Sequence, residues 1–160
     1  MKKIIRILTL ALVLVMLTGC FGGTKTFTCR ELTMTVPSSM KDVSGNRDLD
    51  DYTFALDSSK MVIFGLQERY DEYPVLEEYD LKEYAEQVIR VNDLDCRLVS
   101  RSTGDYMYFT YLHENDGEIY KYLTGVYQTE EGFWVVQIAA TLTKYEETTF
   151  FGYLDSVEFE

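Results

Sequence analysis

"DYMYFTYLHENDGEIYKYLTGVYQ", residues 105–128, decides the architecture. Two runs rich in Tyr, Phe, Val and Ile flank Asp116-Gly117, and such residues suit a pleated, half-buried surface. Asp-Gly fits a type I′ turn, which needs φ > 0 at both central residues. A turn at that point sets Tyr111 opposite Tyr122, Phe109 opposite Thr124 and His113 opposite Tyr120. "TEEG", residues 129–132, closes a second hairpin onto "FWVVQIAAT", residues 133–141. Because side chains alternate along a strand, Trp134, Val136, Ile138 and Ala140 share one face, while Phe133 and Val135 lie on the other. Both faces are apolar or aromatic, so each needs a cover.

Two segments can supply one. "DLKEYAEQVIRVN", residues 80–92, repeats Leu81, Tyr84, Ala85, Val88 and Ile89 at helical spacing. Asp80 as N-cap and Glu83 three residues on form a capping box. "TKYEETTFFGYLDSV", residues 143–157, offers Thr143 with Glu146 as a second box and Phe150, Tyr153, Leu154 and Val157 as an apolar stripe. Upstream, "TFTCRELTMTVP" (26–37) alternates as an opening strand or bent pair of strands. "SSMKDVSGNRDLDD" (38–51) is polar loop. "YTFALD" and "KMVIFGLQER" flank Ser58-Ser59 as a hairpin, "YDEYPVLEEY" (70–79) is an acidic, aromatic connection, and "CRLVSR" (96–101) adds a strand. The expected class is α+β: an antiparallel sheet of about six strands flanked by helices on both faces.

The amino terminus carries an address. "MKKIIR" is basic and free of acids, and Ile7–Leu17 is eleven residues without charge. At about 1.5 Å per residue that run is too short for a hydrocarbon core of about 30 Å, as in a secretory signal. Leu17-Thr18-Gly19-Cys20 resembles the bacterial lipobox. The resemblance implies that residues 1–19 are removed and that the Cys20 thiol carries lipid, with 20–25 as a short tether and 26–160 as a single domain. Ordinary secretion with Cys20 as a free thiol is the alternative. Two acyl chains hold a protein to a bilayer where one would not.

The order of elements carries a second resemblance. A strand running into Pro and a polar loop ("LTMTVPSSM") precedes a hairpin, a helix ("LKEYAEQVI"), a strand meander and a closing helix near "LDSVEF". That order is similar to the PsbP/DcrB-like fold of small bacterial lipoproteins, over residues 26–160. The resemblance implies a fold and no catalytic set.

Charge excludes some partners. Loss of the signal removes three of 15 basic residues and no acid, leaving 12 against 27 Asp+Glu, a net charge of −15. Phosphate binding rests on clustered Lys and Arg, so nucleic acid is not an expected partner. The expected contacts are the membrane, through acyl chains on Cys20, and another envelope protein.

Catalytic chemistry finds little material. His113 is the single histidine, so any Ser-His or Cys-His system must use it, and no serine sits in G-x-S-x-G. Zinc-type spacing is missing. Asp48, Asp50 and Asp51 could at most hold calcium weakly, and no cofactor is called for. Cys29 and Cys96 can persist as a disulfide outside the cytoplasm; two small buried thiols are the other reading. Thirteen Tyr, nine Phe and one Trp suit cross-strand pairing or a contact surface. Tyr70, Tyr73, Tyr79, Tyr111, Tyr120 and Tyr122 form the expected binding rim. The sequence therefore favours a non-enzymatic, lipid-anchored extracytoplasmic component, on an outer membrane where the cell has one. A small secreted hydrolase using His113 and a solute-binding accessory to a transporter are the rivals.

Overall fold

The computed structural model describes residues 23–46, 49 and 51–160. The signal and Cys20, together with Asp48 and Asp50, lie outside the described residues.

At the centre is the hairpin of β7 (Met107–Asn115) and β8 (Glu118–Gln128). Asp116 and Gly117 take φ of 50° and 79°, as a type I′ turn requires, and Tyr111↔Tyr122, Phe109↔Thr124 and His113↔Tyr120 pair as expected. Thr129 N–H donates to Gly132 C=O at 2.8 Å and returns the chain as β9 (Gly132–Thr141) along β8. Ser58 and Ser59 separate β4 (Phe54–Asp57) from β5 (Val62–Arg69). β5 pairs with β9 over its whole length. Short strands β3 (Lys41–Asp42) and β6 (Val99–Ser100) complete a seven-stranded antiparallel sheet in the order β3-β4-β5-β9-β8-β7-β6.

A second sheet was not anticipated. β1 (Thr24–Cys29) and β2 (Leu32–Pro37) form a hairpin, and β10 (Glu158–Phe159) pairs with β2 from the far end of the chain. The class is α+β with antiparallel sheets, but the single six-stranded sheet becomes seven strands plus three. The physical reason lies in β2, where Leu32, Met34 and Val36 are fully buried. They pack with Leu123, Trp134, Val136 and Ile138 as a sheet-on-sheet core.

The covers on the two faces are therefore unequal. α1 (Leu81–Val91) packs Tyr84 and Ala85 against Phe109, Val126, Phe133 and Val135. Its predicted capping box is present: Asp80 Oδ1 accepts from Glu83 N–H at 2.8 Å, and Glu83 Oε2 accepts from Asp80 N–H at 3.0 Å. It ends with Asp93 at φ 52°, where Asp93 N–H donates to Arg90 C=O and Leu94 N–H to Ile89 C=O, a Schellman closure. The small sheet and α2 (Glu147–Leu154) share the other cluster, where Phe150, Phe151 and Leu154 join Leu32, Met34 and Val36.

α2 departs from its forecast at the start. β9 runs through Thr141, and Lys144 N–H donates back to Thr141 C=O at 2.9 Å. Thr143 is thus spent in a turn, its Oγ1 3.3 Å from that of Thr141. Glu146 becomes the N-cap without a side-chain bond. The later start changes the buried face to Phe150, Phe151 and Leu154, with Phe151 edge-on to Tyr108. "CRLVSR" contributes only Val99 and Ser100 to the sheet, because the chain is still descending from the helix layer. Met40, inside the polar loop, is buried.

Candidate functional site

α1 spans eleven residues, about 16 Å, whereas the eleven-residue β8 runs about 37 Å. The helix is shorter than the strand beside it, and burial on that face falls from Phe109, Val126 and Phe133 towards Tyr111 and Tyr122. Under α1, Phe109, Val126 and Phe133 are fully buried. Further along that face, Tyr52 is 36% exposed and Phe64, Tyr111, Tyr122 and Gln137 are half-buried. Register places them on one face, with Phe64 opposite Gln137, Gln137 opposite Thr124 and Tyr122 opposite Tyr111.

The rings are ordered by one another. Tyr111 and Tyr122 stack with centroids 4.7 Å apart and planes 9° from parallel. Tyr52 stacks on Phe64 at 4.7 Å, and His113 lies edge-on to Tyr122 at 6.4 Å. Gln137 Nε2 donates to the Tyr111 hydroxyl at 3.3 Å. Burial pushes the Tyr111 phenol well up, with the Tyr122 and Tyr52 hydroxyls adding to the effect. Tyr122 is raised for the same first reason, then by Tyr52 and Tyr120. The Tyr111 and Tyr122 phenols are thus kept protonated, with hydroxyls able to donate. Thr124, fully buried where the covered part of the face gives way to the more exposed part, has no partner for its Oγ1 among the described residues.

The expected rim divides. Tyr111, Tyr120 and Tyr122 belong to the open face, and Tyr120 donates to Glu118 Oε2 at 3.2 Å. Tyr70 and Tyr79 pack into the cluster under α1; Tyr70 meets Phe133 edge-on at 5.7 Å and accepts from Gln128 Nε2 at 3.1 Å. Tyr73 is exposed beside the 3-10 turn Pro74–Glu78. Tyr52, Phe64, Thr124 and Gln137 were missed, and only the long-range pairing of β5 with β9 could have found the first two.

The possible disulfide is corrected. Cys29 and Cys96 are both free, one packed against the cluster between the two sheets and the other against the cluster under α1. The seven-stranded sheet separates them. Burial raises both thiols. Among the described residues no group of three or more His, Cys, Asp or Glu is placed to hold a metal ion, and no helix is long and apolar enough to cross a membrane.

No family model matches the sequence, and no curated protein matches it. Its fold is similar to that of a protein from Bacteroides thetaiotaomicron VPI-5482 solved at 1.50 Å resolution, with a TM-score of 0.56 and 12% identity. The likeness covers 85% of this chain and 48% of that one, so this chain spans about half the length of its neighbour.

Proposed function

We propose that this protein is a lipid-anchored, non-enzymatic binding component of the cell envelope, built on a PsbP/DcrB-like domain with helices on both sides of its sheet. The observation that carries the binding role is the less buried part of the α1 sheet face, formed by Tyr52, Phe64, Tyr111 and Tyr122. Tyrosine joins apolar area to a hydroxyl at low entropic cost, which suits contact surfaces. The anchor rests on Leu17-Thr18-Gly19-Cys20 behind its apolar run. β1 begins at Thr24, so four residues of tether, at most about 14 Å, keep the domain beside the bilayer.

Palmitate labelling of cells should mark wild type and not Cys20→Ala; labelling of the variant would remove the anchor. Crosslinking in membranes should give a discrete product that Tyr111→Ala with Tyr122→Ala loses. A hydrolytic turnover abolished by His113→Ala would replace the binding role with catalysis.

A further inference from the structure

Among the described residues the outer edge of β7 is unpaired from Thr110 onward, since β6 meets only Met107 and Tyr108. Arg101 N–H donates to Tyr106 C=O at 3.0 Å. In an antiparallel ladder, the residues whose amide and carbonyl face one neighbour alternate. Tyr106, Tyr108, Thr110, Leu112 and Glu114 therefore direct theirs away from β8. Among the described residues no backbone hydrogen bond reaches those of Thr110, Leu112 or Glu114. Natural sheets shield such edges with Lys, Pro or a bulge. "TYLHEN", residues 110–115, has neither Lys nor Pro, and it pairs with β8 without a break in register.

Beside this edge is an open groove of about 590 Å³, between Asn92–Asp95 and Thr110–His113. The Schellman closure at Asp93 turns the chain there and sets its outer wall. Asp93 and Asp95 are exposed and, among the described residues, enter no ion pair. They follow α1, on the side of the sheet that carries Tyr111 and His113. The other side presents Leu112 at 60% and Ile119 at 44% exposure. One side of the groove is thus acidic and aromatic, in a chain of strongly negative net charge. The other is aliphatic apart from Lys121, which lines the groove opposite Leu112 and is ion-paired to Glu147 at 3.2 Å.

We propose that the β7 edge takes up an extended segment of a partner protein as an eighth antiparallel strand, and that this segment alternates basic with apolar side chains. Its basic residues lie over Tyr111, His113, Asp93 and Asp95, where charge attraction and the tyrosine ring both favour a cation. Its apolar residues lie over Leu112 and Ile119. Main-chain bonds supply affinity and the alternating side chains supply choice, as in strand addition generally. The inference goes beyond the proposed anchoring and aromatic contact, and it stands or falls without them.

The geometry dictates which amides bind. A residue facing Leu112 in an antiparallel pair exchanges both bonds with it, so amides of the apolar positions donate to β7 and those of the basic positions point away. The test is fluorescence anisotropy of the full chain with the peptide Lys-Val-Lys-Val-Lys-Val-Lys. The control, Lys-Lys-Lys-Lys-Val-Val-Val, has the same charge and composition. The alternating peptide should bind at least ten-fold more tightly. N-methylation of its valines should abolish binding, whereas N-methylation of its lysines should leave it within about two-fold. Asp93→Asn with Asp95→Asn should weaken it several-fold. Equal binding of the two peptides, or equal loss from the two methylations, overturns the proposal without any variant having to fold.

Discussion

Arg101 and Asp155, 54 positions apart, are joined by two bonds, Nε to Oδ1 at 3.0 Å and Nη2 to Oδ2 at 2.6 Å. The Tyr106 hydroxyl donates to the same carboxylate at 2.6 Å. Together they fasten the end of α2 to the loop before β7. The guanidinium also lies 4.1 Å from the Phe151 ring centre, so its planar face is packed while its edge is bonded.

This pair makes stability fall in acid. The Arg101 bond, followed by those of Tyr106 and Thr103, holds Asp155 below the usual carboxylate range. A depressed folded value contributes stability above the unfolded value of about 3.9, and the contribution is lost as pH falls through the folded one. Asp155→Asn should cost about 1–2 kcal/mol at pH 7, allowing for partial exposure. The gap in Tm between wild type and variant should narrow as pH drops below 4. An unchanged gap at pH 2.5 would show that the carboxylate charge is not what stabilises.

Gly65 fixes the spacing of β5 against its neighbour. A Cβ there would stand 2.0 Å from Phe54 Cε1, and Phe54 is buried with its ring 4.8 Å from Phe27 and 6.2 Å from Trp134. Gly65→Ala should destabilise by about 2–3 kcal/mol, as overpacking does, in urea melts followed by Trp134 fluorescence. Phe54→Leu in the same chain should recover part of that loss, because residues in contact are not additive.

Local chemistry was legible and long-range pairing was not. Asp116-Gly117 and the Asp80/Glu83 box act within four residues, so each could be read directly. Strand β10 is Glu158 and Phe159 alone, too short for any periodic signal, and its place beside β2 depends on 120 residues of intervening chain. The open aromatic face was half legible for the same reason. Tyr111 and Tyr122 meet through a two-residue turn, whereas Tyr52 and Phe64 join them only because β5 pairs with β9. Phe151 took the fully packed place beside Phe150 and Leu154, with Tyr153 half-buried at the edge of the same cluster, because β9 ran on through Thr141 and delayed the helix.

Free thiols on opposite sides of a sheet predict a simple result. Thiol titration of the unfolded, unreduced chain should count Cys29 and Cys96 as free, and native protein should react slowly because burial raises both thiols. A reductant should leave Tm unchanged. A drop of several degrees on reduction would restore the bridge.

Alkaline unfolding should accompany tyrosine ionisation. Tyr127 is 5% exposed and donates to Leu154 C=O at 2.9 Å, and burial pushes its phenol far up. Tyr84 is raised by burial and by its bond to Glu68. A raised folded value gives stability that is complete below the unfolded value of about 10 and lost as pH rises beyond it. Absorbance at 295 nm should show the exposed phenols titrating first and the buried ones only as circular dichroism is lost. Full titration without loss of structure would contradict the burial of Tyr84 and Tyr127.

Thr124 carries a polar group inside the fold. Its Oγ1 is buried without a partner among the described residues, between the core under α1 and the open aromatic face. A buried hydroxyl without a partner costs about 1–3 kcal/mol, and replacing it by an apolar group of the same shape removes that cost. Thr124→Val should therefore raise stability by about 1 kcal/mol in urea melts. If Thr124→Val is instead destabilising by a similar amount, the hydroxyl is satisfied in the folded protein.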